Sequence, residues 1–413
     1  MRQPSGHGGR LGEHRETRRR RALLSIVAAA VAAVLLAFVV ISAEPSTASG
    51  TGVATVTTPI SVQSIQQAWP VGAATVWAWT QNLYGGAAQS LQLSTDGGTQ
   101  WADVTPPGLS EQLDGRIIDG FFALDARHAW VVYGGLTSSS VQTIAATSDG
   151  GASWSLVGRR PSTYGCDLQF VSPRDGWCAV VGAAGGSAGV TLYRTTDGGH
   201  SWSVVSQSGP SSDPPGSLPF GCDKDIAFVS RSVGWAMFQC AVGVSPLYES
   251  TDGGAKWVRR TLGAPPHGAR GEGSGFTGTP VISGDDGAVG YTLNGPTPKT
   301  FIYVTSDSGK SWKAVAPPGG AQPGLLDVLS PTRWRLVEDG RLLSTDDGGH
   351  RWQRIKDNLG TALEYPYESP TPPIVDFASG AFGWVSSRSA AFPSLWRTSD
   401  GGSTWQQVAV PGT

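Results

Sequence analysis

The stretch "STDGGTQW", Ser94 to Trp101, recurs along the chain as "TSDGGASW" from 147, "TTDGGHSW" from 195, "STDGGAKW" from 250, "TSDSGKSW" from 305, "TDDGGHRW" from 345 and "TSDGGSTW" from 398. Its aspartates are Asp96, Asp149, Asp197, Asp252, Asp307, Asp347 and Asp400, and its tryptophans are Trp101, Trp154, Trp202, Trp257, Trp312, Trp352 and Trp405. Successive aspartates stand 40 to 55 residues apart. That spacing suits a four-stranded propeller blade and is too long for a helical-pair repeat.

A second register runs with the first. Trp77, Trp130, Trp177, Trp235, Tyr291, Trp334 and Trp384 lie 18 to 25 residues before the box tryptophans. Around them, "LQFVSPRDGWCAV", "IAFVSRSVGWAMF" and "VDFASGAFGWVSS" each read as an alternating run, a turn and a second alternating run, the pattern of a β-hairpin. A third run enters each box and a fourth leaves it, so the expected unit is four strands with the box between the third and fourth. The box aspartate then accepts backbone N–H bonds of its own turn, and the leading Ser or Thr adds a hydroxyl bond. The second glycine is present in all seven copies, as a positive φ requires. Ser308 replaces the first glycine in the fifth copy, which marks that position as less demanding.

Composition agrees: 57 Gly and 28 Pro imply frequent turns, and 16 Trp imply aromatic wedges between sheets. The net charge of −2 hides a basic start, seven arginines within residues 1–21, so the remainder carries 23 basic and 30 acidic residues. Such an acidic body is a poor partner for nucleic acid. "ALLSIVAAAVAAVLLAFVVI", Ala22 to Ile41, is an uncharged run of 20, long enough to span a membrane, and the preceding arginines place its N-terminus in the cytoplasm. A cleaved export signal, cut near Ala43, Ser46 or Ala48, is the other reading. The expected organisation is a basic stub over 1–21, a transmembrane helix over 22–43, a linker over 44–60 and an extracytoplasmic all-β domain over 61–413.

The S/T-x-D-x-G-x-x-W pattern resembles the Asp-box, or BNR, repeat family from about residue 61 to the C-terminus. The resemblance implies a seven-bladed β-propeller. It leaves function open, because the family includes sialidases, xyloglucan hydrolases, sortilin-type receptors and photosystem II assembly and stability factors. The cadence of this chain is most similar to the last group, which is lumenal or periplasmic and binds proteins without catalysis. That makes a membrane-anchored scaffold or assembly factor for another envelope protein the expected function, and a carbohydrate-active propeller, hydrolase or lectin, the alternative.

No catalytic set, cofactor or metal site is legible. The Arg-Ile-Pro signature of sialidases is missing. A calcium loop needs six to eight oxygens, and six boxes offer one carboxylate each. Asp223 with Asp225, and Asp285 with Asp286, are near enough in sequence for a glycosidase pair but read as loop residues. Binding is expected opposite the boxes, on long blade-to-blade loops at 206–221, 262–280 and 356–373, with His267, Arg270, Glu272, Phe276, Glu364, Tyr365, Tyr367 and Glu368 as candidates. Of the four cysteines, Cys222 and Cys240 fall at one end of a single hairpin and form the favoured disulfide. Cys166 with Cys178 is the remaining pair.

Overall fold

A computed structural model describes residues 63–408, apart from 83–88, 110–116, 135–141, 160–166, 182–188, 210–214, 266–272, 295–298, 319–324, 339, 360–373 and 388–393. The expected stub, membrane span and linker lie outside the described residues. All described residues fall in the compact unit Ile60–Thr413, and they form strands and turns without a helix.

Each repeat folds as an antiparallel meander. Four-stranded sheets cover residues 63–103, 117–159, 167–208, 325–355 and 374–408, and a ten-stranded sheet covers 223–315. The first strands of neighbouring sheets touch: Ile117–Ala123 meets Asp167–Phe170, which meets Asp223–Phe228, and Leu325–Val328 meets Ile374–Phe377. First strands therefore line an axis, and fourth strands form the rim. The last sheet packs on the first through Val76, Ala78, Trp384, Leu395 and Val408. Two hydrogen bonds cross that junction, from Trp384 Nε1 to the Gly72 carbonyl (3.4 Å) and from Arg397 to the Gly97 carbonyl (3.4 Å). Sheets arranged around an axis, with the last closing on the first, make a β-propeller.

The aromatic register explains the wedges. Trp77, Trp130, Trp177, Trp235 and Trp384 hold one position, opposite the residue just before each box hydroxyl, and all are buried. From there Trp130 Nε1 donates to the Gly198 carbonyl and Trp177 Nε1 to the Gly253 carbonyl, each at 3.0 Å in the turn of the next sheet. The sequence register is displaced at two places. Gly287 pairs with Thr305 and Trp334 with Thr345, so the equivalent positions are Ala288 and Arg335, not Tyr291 and Trp334. The two departures compensate. Trp334 is buried in one cluster with Ala288, Ile302 and Leu336, so an indole is supplied to that junction from the neighbouring sheet, and it donates to the Ser330 carbonyl at 3.1 Å.

The long connectors are pinned where they are described. Gly216 O accepts from Trp257 N at 2.7 Å, and the Asn358 amide bonds both Trp405 N (2.7 Å) and Trp405 O (3.0 Å). Leu218 and Leu359 are buried in the same segments, as is Leu109 in the connector between the first two sheets. The 262–280 connector is woven into the ten-stranded sheet. Thr261–Leu262 pairs in parallel with Ser311–Trp312, and Gly273–Phe276 bridges the strands Gly234–Cys240 and Asp286–Asn294. Buried Ser245 ties this weave: its N–H donates to Tyr291 Oη (2.7 Å), and its hydroxyl donates to the Ser274 carbonyl (2.7 Å).

Candidate functional site

The seven boxes are turns between third and fourth strands, and their chemistry is consumed locally. Asp96 Oδ1 accepts from Thr99 N (3.0 Å), Gln100 N (2.9 Å) and Ser94 Oγ (2.9 Å), while Ser94 Oγ takes Gly98 N at 2.7 Å. Asp149, Asp197, Asp252, Asp307, Asp347 and Asp400 each repeat the backbone bond four residues ahead, at 2.8–2.9 Å. Bonds from Ser153 hold the Asp149 carboxyl down at about 2, and those from Ser311 do the same for Asp307. Trp101, Trp202, Trp257, Trp312 and Trp405 close the turn by donating Nε1 to the second glycine carbonyl at 2.8–3.2 Å, whereas Trp154 reaches back to the Val104 carbonyl of the preceding sheet (2.8 Å). Trp352 Nε1 has no such partner. Both glycines of each pair have positive φ, and so does Ser308 at 59°. The first position is therefore as demanding as the second, and Ser308 meets the demand by donating its hydroxyl to Asp285 Oδ1 at 2.6 Å.

The expected binding residues divide. His267, Arg270, Glu272, Glu364, Tyr365, Tyr367 and Glu368 lie outside the described residues. Phe276 is no surface residue: it is 7 % exposed and sits edge-on to Tyr291 at 4.9 Å, because its strand is paired on both sides. Cys222 and Cys240 are joined, with Cα atoms 4.8 Å apart, at the end of the hairpin that carries Lys224. Cys178 is disulfide-bonded, and Cys166 lies outside the described residues. Arg260 pairs with the buried Glu249, so it is structural, while Arg159 and Arg259 are exposed on the rim.

The axis carries acids, of which the sequence singled out only Asp225; read there as loop residues, Asp223 and Asp225 lie on the strand Asp223–Phe228, and Asp286 opens another, while Asp285 stays in a turn. Asp167 and Asp225 occupy the same register on adjacent first strands, opposite Ala179 and Met237. The Asp167 carboxyl meets solvent but is hemmed in by protein, and that burial, with the charge of Asp225, raises its pKa. Gln239 Nε2 donates to Asp225 Oδ2 at 2.6 Å. Farther round, burial above all lifts Asp327 to about 7, with Asp376 adding to the shift, and burial raises Asp376 too. The signal was present in "LLDVLS" and "VDFASG", where an acid stands among apolar residues at the place of Gln169 in "LQFVSP".

A second feature is apolar. The six large hydrophobic side chains exposed among the described residues are Leu156, Val204, Val229, Val242, Val244 and Val258, at 44–83 %. All six lie between residues 155 and 258, on three consecutive repeats. Val242 and Val244 tip the loop beside a cleft of about 500 Å³ whose walls include Ser245, Arg259 and Leu262.

No family model and no curated protein matches the chain. Among solved structures it is similar to YCF48 bound to D1 peptide, with 17% identity and a TM-score of 0.46 over 82% of this chain and 94% of that one. It is similar also to the β-propeller domain of the Trilobed protease from Pyrococcus furiosus, with 10% identity and a TM-score of 0.49 over 84% and 98%. The GH93 α-L-arabinofuranosidase of Fusarium graminearum, in complex with arabinobiose, aligns with 13% identity and a TM-score of 0.39 over 66% and 91%. At these identities, what those proteins bind or cut is a property of those proteins.

Proposed function

We propose that the chain is a seven-bladed propeller of the Asp-box kind, held outside the cytoplasm by its N-terminal segment. Its role is to bind another envelope protein as a scaffold or assembly factor. In this reading the ten-stranded sheet is two blades, 223–259 and 281–315, joined by the strand Gly273–Phe276. The observation that carries a binding role is the row of exposed apolar residues on the rim strands of three consecutive repeats: Leu156 and Val204 at the same register, opposite Ala145 and Tyr193, and Val258 opposite Glu249 on the next. Apolar groups gathered on one part of a soluble surface mark a protein contact more often than chance does. The connector residues Glu364, Tyr365, Tyr367 and Glu368 extend the proposed contact, and neither nucleic acid nor a cofactor has a part in it.

Photo-crosslinking in cells tests this reading. A crosslinker at Leu156, Val204 or Val258 should capture one recurrent protein, and a crosslinker at Gln406 on the rim of the last sheet should not. Equal capture from both places, or none from the first three, defeats the proposal. The acid pair Asp167 and Asp225 supports a second reading, a glycan-cleaving propeller, because two carboxyls on adjacent strands, one of them with a pKa raised by burial and by its neighbour, are the minimum for glycoside hydrolysis. Hydrolysis of a glycan panel by the wild type, abolished in Asp167→Asn and in Asp225→Asn, would establish it.

A further inference from the structure

Gln169 and Asp327 hold the same place in two different sheets. Gln169 pairs with Trp177 and is followed by Phe170, which pairs with Gly176; Asp327 pairs with Arg335 and is followed by Val328, which pairs with Trp334. Each side chain reaches the first strand of the next sheet at its last residue, Phe228 or Phe377. Gln169 makes two bonds there, accepting from Phe228 N at 2.7 Å and donating to the Phe228 carbonyl at 2.9 Å. Asp327 Oδ2 accepts from Phe377 N at 2.7 Å. A carboxylate has nothing to donate to the carbonyl, whereas a carboxylic acid has one O–H.

We infer that Asp327 is a protonation-controlled latch between the last two sheets: its neutral carboxyl gives Phe377 both bonds that Gln169 gives Phe228, and its ionised form keeps only one. Burial above all favours the neutral form, and Asp376, adjacent to Phe377 on the facing strand, repels the ionised one; together they outweigh the Phe377 N–H bond and the Arg335 charge, which favour the carboxylate. Arg335 is the nearby cation, but its guanidinium is spread over the Trp334 carbonyl (3.2 Å), the Gly380 carbonyl (3.4 Å), Asp346 (3.9 Å) and the face of Phe377 (5.6 Å). Arg333 is held by the same Asp346 at 2.9 Å. On the other side, the strand Asp286–Asn294 brings Asp286, exposed at its first residue, and Tyr291, whose hydroxyl is engaged by Ser245. The latch carboxyl titrates near 7, so the junction tightens as the surroundings acidify and loosens as they become alkaline.

Hydrogen exchange on the full-length chain, corrected for intrinsic rates, reads the latch directly. Between pH 5.5 and 8.5, amides over 374–377 should lose protection about thirtyfold, the population shift between a folded pKa near 7 and an unfolded one near 4. Amides over 223–228, behind the Gln169 bridge, should not respond. Asp327→Asn keeps an acceptor and a donor at every pH, and protection over 374–377 should become flat. The same pH response in Asp327→Asn as in the wild type, or no response in the wild type, overturns the inference. If Asp327→Asn does not fold, Gln169→Glu decides: it should transfer the pH response to 223–228, and its failure to do so overturns the latch.

Discussion

A box aspartate stabilises its turn only while it is ionised. Asp149 and Asp307 have folded pKa values near 2 against an unfolded value near 4, so their contribution is complete above about pH 4 and is lost as pH falls through 2. The melting temperature should fall between pH 4 and 2, and the fall should be smaller in the double variant Asp149→Asn with Asp307→Asn; an identical profile would remove the turns from the account. The glycines carry a different load. At Gly254, φ is 96° and an added Cβ would stand 2.5 Å from Leu192 Cδ2, so Gly254→Ala should cost about 1–3 kcal/mol in denaturant unfolding. Ser308 shows how a non-glycine survives in such a conformation, with a side chain short enough to find its own acceptor in Asp285.

Sheets are joined by one large side chain per junction, and the chain has moved that side chain once. Trp334 shares a cluster with Ala288, and Arg335 stands in the place of an indole over Phe377. Trp334→Ala should cost about 3–5 kcal/mol. Ala288→Trp alone should also destabilise, because the space is already full. The double variant should recover part of the loss, a coupling that denaturant unfolding measures; strict additivity would mean that the two positions do not share one cavity. The sequence shows why this exchange is hard to read. Seven octapeptides and five tryptophans at a common register mark the strands and turns, since turn chemistry and period-two alternation are local properties. The one-residue offset at Trp334 depends on pairing with Thr345, and a pairing register is visible only when strands are laid side by side. The same limit hid the acids. Asp327 is an ordinary aspartate in "LLDVLS" until Phe377, fifty residues on, is brought to its carboxylate. The connectors show a related limit: Pro- and Gly-rich text announces a loop, but not that Leu218 and Leu359 within it are buried or that Asn358 is tied to Trp405 of the following sheet.

Around the whole ring, one junction differs in kind from the others, because its two sheets come from opposite ends of the described chain. Among the described residues it has no shared strand: the first sheet holds only residues 63–103 and the last only 374–408. Among the described residues, closure rests on side-chain packing and the Trp384 and Arg397 hydrogen bonds, with Val408 set against Gly98, where an added Cβ would collide with its methyl groups. A buried, unpaired carboxylate at that point has no compensating partner, and Val408→Asp should cost at least about 3 kcal/mol. The pattern of the loss is more informative than its size. In a closed ring every sheet is covered on both faces, so opening the last junction uncovers the first sheet as well, and amides in Val76–Asn82 and in Trp405–Val408 should lose protection together in hydrogen exchange. Loss restricted to 374–408, with the first sheet unchanged, would show that the first sheet does not depend on the last and that the propeller is held as an open stack.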